Sequence, residues 1–335
     1  MQKVIIEPAQ AGQRFDKFLG RHLCQAGMSF IYKMLRKKNI TLNGKKSDGK
    51  EQLKAGDEVC FFFSEETYAK FTSIGAHDLK TDSYLKAYKE LIGVEILYED
   101  SEVLFLNKPA GLLSQKAQET DLSVNEWMIG YLLQKGEISE ASLPVFRPSI
   151  CNRLDRNTGG ILLCGKTLKG SRELNRLIKE REVHKYYQLF VKGILTKGGI
   201  LEGYLSKDEA HNKVSLQGIP KHYIKTGYQP LLITEGKPDI TFLEVELFTG
   251  KTHQIRVHLA SISHPLVGDY KYGDAAFNRY FKENYGVTAQ MLHAVRMEFP
   301  TDCKELPQLS GMIIKAPLPA EFEAILSREH FVKVS

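Results

Sequence analysis

The sequence has little of what marks a secreted, membrane-bound or metal-holding protein. Its five cysteines (Cys24, Cys60, Cys151, Cys164, Cys303) are scattered, odd in number and form no C-x-x-C pair. That spacing offers neither a disulfide framework nor a zinc site and points to a reducing cytoplasm. No apolar run approaches the roughly 18–20 residues that span a bilayer. The opening MQKVIIEPAQ is too short an apolar run, broken by Glu7 and Pro8, to read as a secretory signal. Neither G-x-G-x-x-G nor G-x-x-x-x-G-K-[ST] occurs, so dinucleotide and P-loop readings lose their main support. His253, His258 and His264 fit no H-E-x-x-H or Cys/His pattern; they read as core histidines or as contacts to a partner, and no metal is expected.

What is present looks like an ordinary globular protein of 335 residues, 42% hydrophobic and 26% charged, long enough for a large domain and a small module. The net charge of +6 is unevenly placed. Residues 1–63 hold 12 Lys and Arg against 6 Asp and Glu, and the remaining residues balance at 34 against 34, so the whole excess lies in the first fifth of the chain. A basic module on a neutral body suggests a polyanionic partner, most simply nucleic acid.

Within that module, SFIYKMLRKK predicts a helix with Ser29 as N-cap. Ile31, Met34 and Leu35 would form its buried stripe, and Lys33, Arg36 and Lys37 the exposed strip opposite. A helix is also expected over Phe15–Leu23. Asn43-Gly44 signals a turn between short extended pieces, and Gly56-Asp57 a turn into a closing strand. This order, in QRFDKFLGRHL…SFIYKMLRKKNITLNGKK…LKAGDEV, resembles the small RNA-binding module of ribosomal protein S-four. The resemblance implies that Arg36, Lys37, Lys38 and Lys45 face RNA phosphates, giving salt-sensitive affinity with little base reading. Residues 64–90 are polar, lack a sustained period and read as an interdomain linker with at most a short helix near Tyr84–Leu91.

From residue 91 to 335 the chain reads as one large domain. Strand-like runs (EILYE, VLFLNK, KYYQLFVKG, ITFLEVELFTG) outnumber the helical ones (SVNEWMIGYLLQKG, SRELNRLIKEREV, THQIRVHLASIS) and do not alternate with them. An α+β domain on a mostly antiparallel mixed sheet is expected rather than a doubly wound fold. In NRLDRNTGG, Asp155 stands between two arginines before a Gly-Gly turn and the buried run ILLCG. KYYQ sets Tyr186 and Tyr187 on opposite faces of a strand. TGKTHQIRVH is followed by HPLVGDYKYG.

Together with NKPAG at 107–111, these motifs closely resemble, in order and through most of residues 91–300, those of the RluA-type pseudouridine synthases. Three positions depart from that family's usual pattern: Asn152 replaces His, Gly159 replaces Ser and Lys251 replaces Arg. The resemblance implies isomerisation of uridine to pseudouridine in structured RNA, most simply large-subunit ribosomal RNA, with transfer RNA second. It implies Asp155 as the catalytic carboxylate, Arg256 as the distant cation that anchors it, and Tyr187 as the aromatic face against an extruded base, with Ile255 opposite. An arginine beside an aspartate favours its ionised form. Arg153 is expected to enter the RNA helix or hold the flipped nucleotide, and Asn152, Thr158 and His253 to line the substrate together with Lys108, for which a phosphate contact at the site and a plain start to the Pro-Ala-Gly turn are equally open. The reaction breaks N1–C1′ and rejoins the base through C5 without redox change, so no cofactor is needed. Sugar attack, base attack and proton abstraction are all open to the carboxylate. A monomer is expected. Two other classes compete: a catalytically silent RNA-binding factor, which would have no need of Asp155, and a metal-dependent nuclease, for which paired carboxylates at metal spacing are lacking.

Overall fold

A computed structural model describes residues 1–72, 78–143, 145–208, 213–215 and 222–334. The basic module pairs β1 (Gln2–Ile5) and β2 (Ile40–Leu42) with β3 (Glu58–Phe61) between them. On this small sheet lie α1 (Phe15–His22) and α2 (Met28–Arg36). Ile31, Met34 and Leu35 are buried while Lys33, Arg36 and Lys37 are exposed, as the spacing predicts. Asn43 (φ 50°) and Gly44 (φ 71°) both take positive φ, the backbone that an Asn-Gly turn supplies at low cost. The N-cap differs from expectation. Helix α2 begins earlier, with Gly27 in extended backbone and its carbonyl accepting from Phe30 and Ile31, so Ser29 lies inside the first turn. Glycine is itself an acceptable cap, and no side-chain cap is made there.

Of the segment expected to be a linker, residues 73–77 lie outside the described residues; the rest carries two helices, the second of which covers the place of the short helix expected near Tyr84–Leu91. Helix α3 (Glu65–Thr72) lays Tyr68 and Phe71 against the module's core, where Tyr68 meets His22 and Phe71 meets Phe30. With no residue of α3 fully buried, its sequence gives little period to read. Helix α4 (Asp78–Glu90) buries Tyr84 and Ala87 and packs along α5 (Val124–Gln134) of the large domain. The two bodies also touch directly. Val145, 3% exposed, completes the module's core, Arg21 Nη1 donates to its carbonyl at 3.0 Å, and Arg172 donates to Gly12.

The large domain is built on one sheet, with the strand path β10 (Lys213–Ser215), β9 (Gly199–Asp208), β11 (His222–Thr234), β12 (Ile240–Leu247), β8 (His184–Lys192), β13 (Leu292–Glu298), β7 (Gly159–Gly165), β5 (Val103–Lys108) and β4 (Glu95–Glu99). Short strands β6 (Ser149–Ile150), β14 (Ile313–Lys315) and β15 (Phe331–Lys333) join β7, β13 and β11. Among the described strands only β13 and β7 run parallel; every other pair is antiparallel. The flanking helices are α6 (Leu168–Lys179), α7 (Gln254–Ser261), α8 (Ala275–Tyr285) and α9 (Ala320–Arg328). This is the expected α+β arrangement. No helix among the described residues is long and apolar enough to cross a membrane.

The parallel pair explains the two glycines. Gly160 has φ +109°, and a Cβ there would stand 2.2 Å from the Ala294 carbonyl oxygen. A Cβ on Gly159 would meet the His293 ring at 2.7 Å. The strands can approach only without side chains at this point, which fixes where β7 emerges from the loop carrying Asp155.

Candidate active site

The core of the large domain has one face of the central strands as its floor. Leu189 and Tyr187 of β8, Leu243 and Val245 of β12 and Ile255 of α7 pack into a single apolar cluster. Strand alternation sends Tyr187 into this cluster and Tyr186 to the other face, where the Arg296 guanidinium lies 3.9 Å from its ring centroid. Burial raises the pKa of the Tyr187 hydroxyl, and the nearby charge of Asp155 raises it further, so the phenol is held neutral at the edge of the site.

Asp155 reaches this cluster from the loop between β6 and β7. That loop is held at several points. The Asn152 side chain accepts from Leu163 N at 2.7 Å and donates to Ile161 O at 3.2 Å. Ser114 Oγ donates to Leu154 O and accepts from Leu154 N, at 2.8 and 3.1 Å. Gly111 N donates to Arg156 O at 2.9 Å, and Arg156 Nε donates to Gly111 O at 3.0 Å. Thr158 N closes the turn on Asp155 O at 3.0 Å.

Lys108 lies beneath the loop. Its fully buried ammonium donates to the carbonyls of Pro109, Leu112 and Arg156 at 3.1, 2.9 and 3.0 Å. Burial pulls its pKa down to about 7, opposed by the charge of Asp155. Three acceptors around one nitrogen are a socket for the ammonium form. Of the two readings of Lys108 the phosphate contact is therefore corrected and the turn is kept: the side chain has no exposed atom to offer, and its donors join the Pro109–Leu112 turn to the Asp155 loop. Asn152 and Thr158 were likewise expected to line the substrate. Asn152 commits both ends of its amide to β7, and Thr158 is buried with its hydroxyl accepting from Gln290 at 3.4 Å. All three brace the loop.

The side chain of Asp155 is 28% exposed, with one oxygen turned to the protein. Arg256 Nη1 lies 3.3 Å from Oδ2, and His253 Nε2 lies 3.8 Å from the same oxygen. The expected distant partner is thus the actual one, and the neighbours in sequence are not: Arg153 is exposed without a partner among the described residues, and Arg156 turns to Gly111. Helix α7 presents Ile255 and Arg256 on the inner side. Its start is fixed by buried Gln254, which bonds Thr249, Thr226 and the Lys225 carbonyl at 2.9, 2.9 and 3.0 Å. Immediately before it, His253 adopts a left-handed backbone (φ 55°), an uncommon state for a bulky side chain that is enriched at functional sites. Its Nδ1 lies 2.9 Å from the Tyr272 hydroxyl.

The residue that sequence reading passed over is Asp269. Although inside the quoted HPLVGDYKYG, it carried no assigned role. It bonds Arg256 through two parallel contacts, Nε to Oδ2 at 2.7 Å and Nη2 to Oδ1 at 2.8 Å. Burial opposes the Asp269 charge, yet the Arg256 bonds pull its pKa below the usual carboxylate value. Burial likewise opposes the charge of Arg256, which Asp269 and then Asp155 more than offset. Only the arginine's pairing, invisible in one dimension, reveals this residue. His258 and His264 stand apart from this group: His258 Nδ1 meets Thr226 at 2.9 Å and His264 Nδ1 meets the Lys192 carbonyl at 2.8 Å. Among the described residues no set of three or more His, Cys, Asp or Glu side chains is placed to hold a metal ion.

Comparisons with known proteins bear on the family and the fold. Residues 102–261 match the RNA pseudouridylate synthase family model. Ribosomal large subunit pseudouridine synthase C of Vibrio vulnificus (strain CMCP6) is 31% identical over 334 residues, covering 97% of this chain and 96% of that protein. The protein of the same name from Escherichia coli (strain K12) is 30% identical over 315 residues, 88% of each chain. Among solved structures, human RNA pseudouridylate synthase domain containing 4 superposes with a TM-score of 0.57 at 20% identity, over 77% of this chain and all of that one. Human RNA pseudouridylate synthase domain containing 1 gives 0.53 at 21%, over 72% and 90%. At that identity the structures speak for the fold alone.

Proposed function

The chain belongs to the RNA pseudouridine synthase family, isomerases that act on uridines in RNA, and from that premise we propose that it modifies uridines of large-subunit ribosomal RNA, with Asp155 as the catalytic carboxylate. The observation that carries the reading is the pairing of Asp155 with Arg256 at the rim of an apolar cluster containing Tyr187 and Ile255. The relatives' names supply the substrate class.

A uridine must leave its stack to bring C1′ and the base within reach of a buried site. The Tyr187 ring offers a face for the extruded base, a contact of roughly 1–3 kcal/mol, and Ile255 offers the apolar wall. One carboxylate oxygen is engaged by Arg256 and the other is free to act at the sugar or base. As N1–C1′ breaks and C5–C1′ forms, C5 gives up a proton and N1 gains one; the sum is an isomerisation. Arg153, exposed and unpartnered among the described residues, is available to fill the gap in the helix or grip the flipped nucleotide. His253 lines the entrance beside Asp155.

The N-terminal residues act in this reading as an S-four-like module. Arg36, Lys37, Lys38 and Lys45 are all exposed and supply phosphate contacts. The enzyme works as a monomer in the cytoplasm, where ribosomal RNA is made and assembled. Mapping pseudouridines in ribosomal and transfer RNA from cells with and without the protein tests the assignment. Loss of defined large-subunit sites is expected. Changes confined to transfer RNA would move the substrate to that class, and an unchanged map would refute both.

A further inference from the structure

The turn from Asp269 to Tyr272 is tied to Asp155 at both of its ends. At one end Asp269 bonds Arg256, whose Nη1 lies 3.3 Å from Asp155 Oδ2. At the other the Tyr272 hydroxyl lies 2.9 Å from His253 Nδ1, and His253 Nε2 lies 3.8 Å from that same oxygen. The turn is also held from within. Asp269 Oδ1 accepts from the backbone of Lys271 and Tyr272 at 2.9 and 3.1 Å. Asn278 Nδ2 donates to the Asp269 carbonyl at 3.0 Å, while Asn278 Oδ1 accepts from Gly268 N at 2.8 Å. Between the two tied ends stands Tyr270, its Cα about 3.8 Å from that of Asp269. It is 53% exposed. The other exposed tyrosines are engaged: Tyr32 with Asp16, Tyr280 with Glu329, and Tyr204 and Tyr223 with each other. Tyr270 makes no side-chain hydrogen bond and no ring contact among the described residues.

We propose that Tyr270 is a specificity-determining residue: its ring stacks on a base that neighbours the extruded uridine in the RNA strand. This rests on the reading of Asp155 as the catalytic carboxylate acting on a flipped uridine. Eversion of a nucleotide strips each adjoining base of one stacking partner. An aromatic side chain at the rim replaces that partner, and does so for any base, because every base has a π face. A single exposed aromatic on a surface is ordinary. This one differs in its mount: a ring on a fixed backbone has only two side-chain torsions to lose, so more of the contact survives as affinity. Neither nearby tyrosine can take the part. Tyr187 is 6% exposed and lies in the apolar floor, and Tyr272 is occupied by His253 and by the Arg256 guanidinium, 5.1 Å from its ring centroid.

The test measures RNA affinity and single-turnover rate for the full chain and its Tyr270→Ala, Tyr270→Phe and Asp155→Asn variants. The probes are hairpins cut from large-subunit ribosomal RNA around each mapped uridine, intact or with one flanking base removed to leave an abasic sugar. On intact hairpins Tyr270→Ala is expected to weaken binding about 10-fold, with the rate at saturating RNA within about twofold of wild type. Tyr270→Phe, which keeps the ring, is expected to bind as wild type does. Removing the base that Tyr270 covers is expected to cost wild type a similar factor and Tyr270→Ala nothing more, so that the two losses do not add. The position at which this holds identifies the partner as the 5′ or the 3′ neighbour. Wild-type affinity in Tyr270→Ala, or a loss of the same size on every abasic hairpin, would overturn the proposal. Hairpins bound but left unmodified by wild type, or turnover in Asp155→Asn, would instead bring down the reading of the site, and the proposal with it.

Discussion

Asp16 in the basic module and Asp155 in the large domain both face an arginine, and they differ in what is left over. Asp16 accepts from Arg14 through two bonds at 3.2 and 2.7 Å and from the Tyr32 hydroxyl at 2.7 Å, and is 2% exposed. Burial works against its charge, but Tyr32 and Arg14 more than compensate and its pKa lies below the ordinary value. Both of its oxygens are occupied. Asp155 has one guanidinium contact, on one oxygen, and opens to the outside. A saturated carboxylate is a structural part; an unsaturated one, fixed in direction, keeps an oxygen open to another molecule.

Changing each acid in turn tests that contrast most strongly. Asp155→Asn is expected to reduce pseudouridine formation roughly 10,000-fold while melting temperature and RNA affinity stay near wild type. Activity retained in the purified variant would place the chemistry elsewhere. In the module the large effect falls on binding. Replacing Arg36, Lys37, Lys38 and Lys45 with Gln is expected to lower RNA affinity and to flatten the log–log salt dependence by about 0.7–0.9 for each phosphate no longer neutralised. Equal salt slopes for the two proteins would remove these residues from the RNA surface.

Asp16→Ala is the mirror of Asp155→Asn. It is expected to cost roughly 1–3 kcal/mol of stability, read as a lower Tm, with the single-turnover rate unchanged. A slowed rate at full stability would erase the distinction between the two acids. The smallest effect concerns acid. Burial holds His22 of the module, and His258 and His293 of the large domain, with pKa values lowered to about 4. A histidine kept neutral in the fold contributes stability that is complete above its unfolded pKa of about 6.5 and is lost as pH falls toward 4. Tm is expected to decline across that window, and His22→Phe to remove part of the slope. A flat Tm between pH 6.5 and 4 would contradict it.

How much of this was legible depended on whether a signal was local. The buried stripe of α2, the Asn43-Gly44 turn and the opposite facing of Tyr186 and Tyr187 follow from spacing alone, and the structure agrees. The Asp155–Arg256 pair joins residues 101 positions apart. No spacing rule reaches that far, and the pair was anticipated only through family motifs. Asp269 went unassigned because its significance lies in which face of Arg256 it occupies. The bracing contacts of Lys108, Asn152 and Thr158 are hidden from the sequence for a related reason. Polar residues near the Asp155 loop look like ligands for substrate until their hydrogen bonds are traced, and here backbone carbonyls, β7 and Gln290 already occupy them. Residues 65–72 show no period because α3 needs only Tyr68 and Phe71 to dock, too few to make one.

Val145 belongs by sequence to one body and by packing to the other, so a seam and not a tether joins the two. Scissors applied after residue 63 would strip that valine, and the rings of α3, of their cover and leave a raw apolar patch on the remaining fragment. The same seam makes melting a joint event, and heat is expected to take both bodies apart in a single cooperative step.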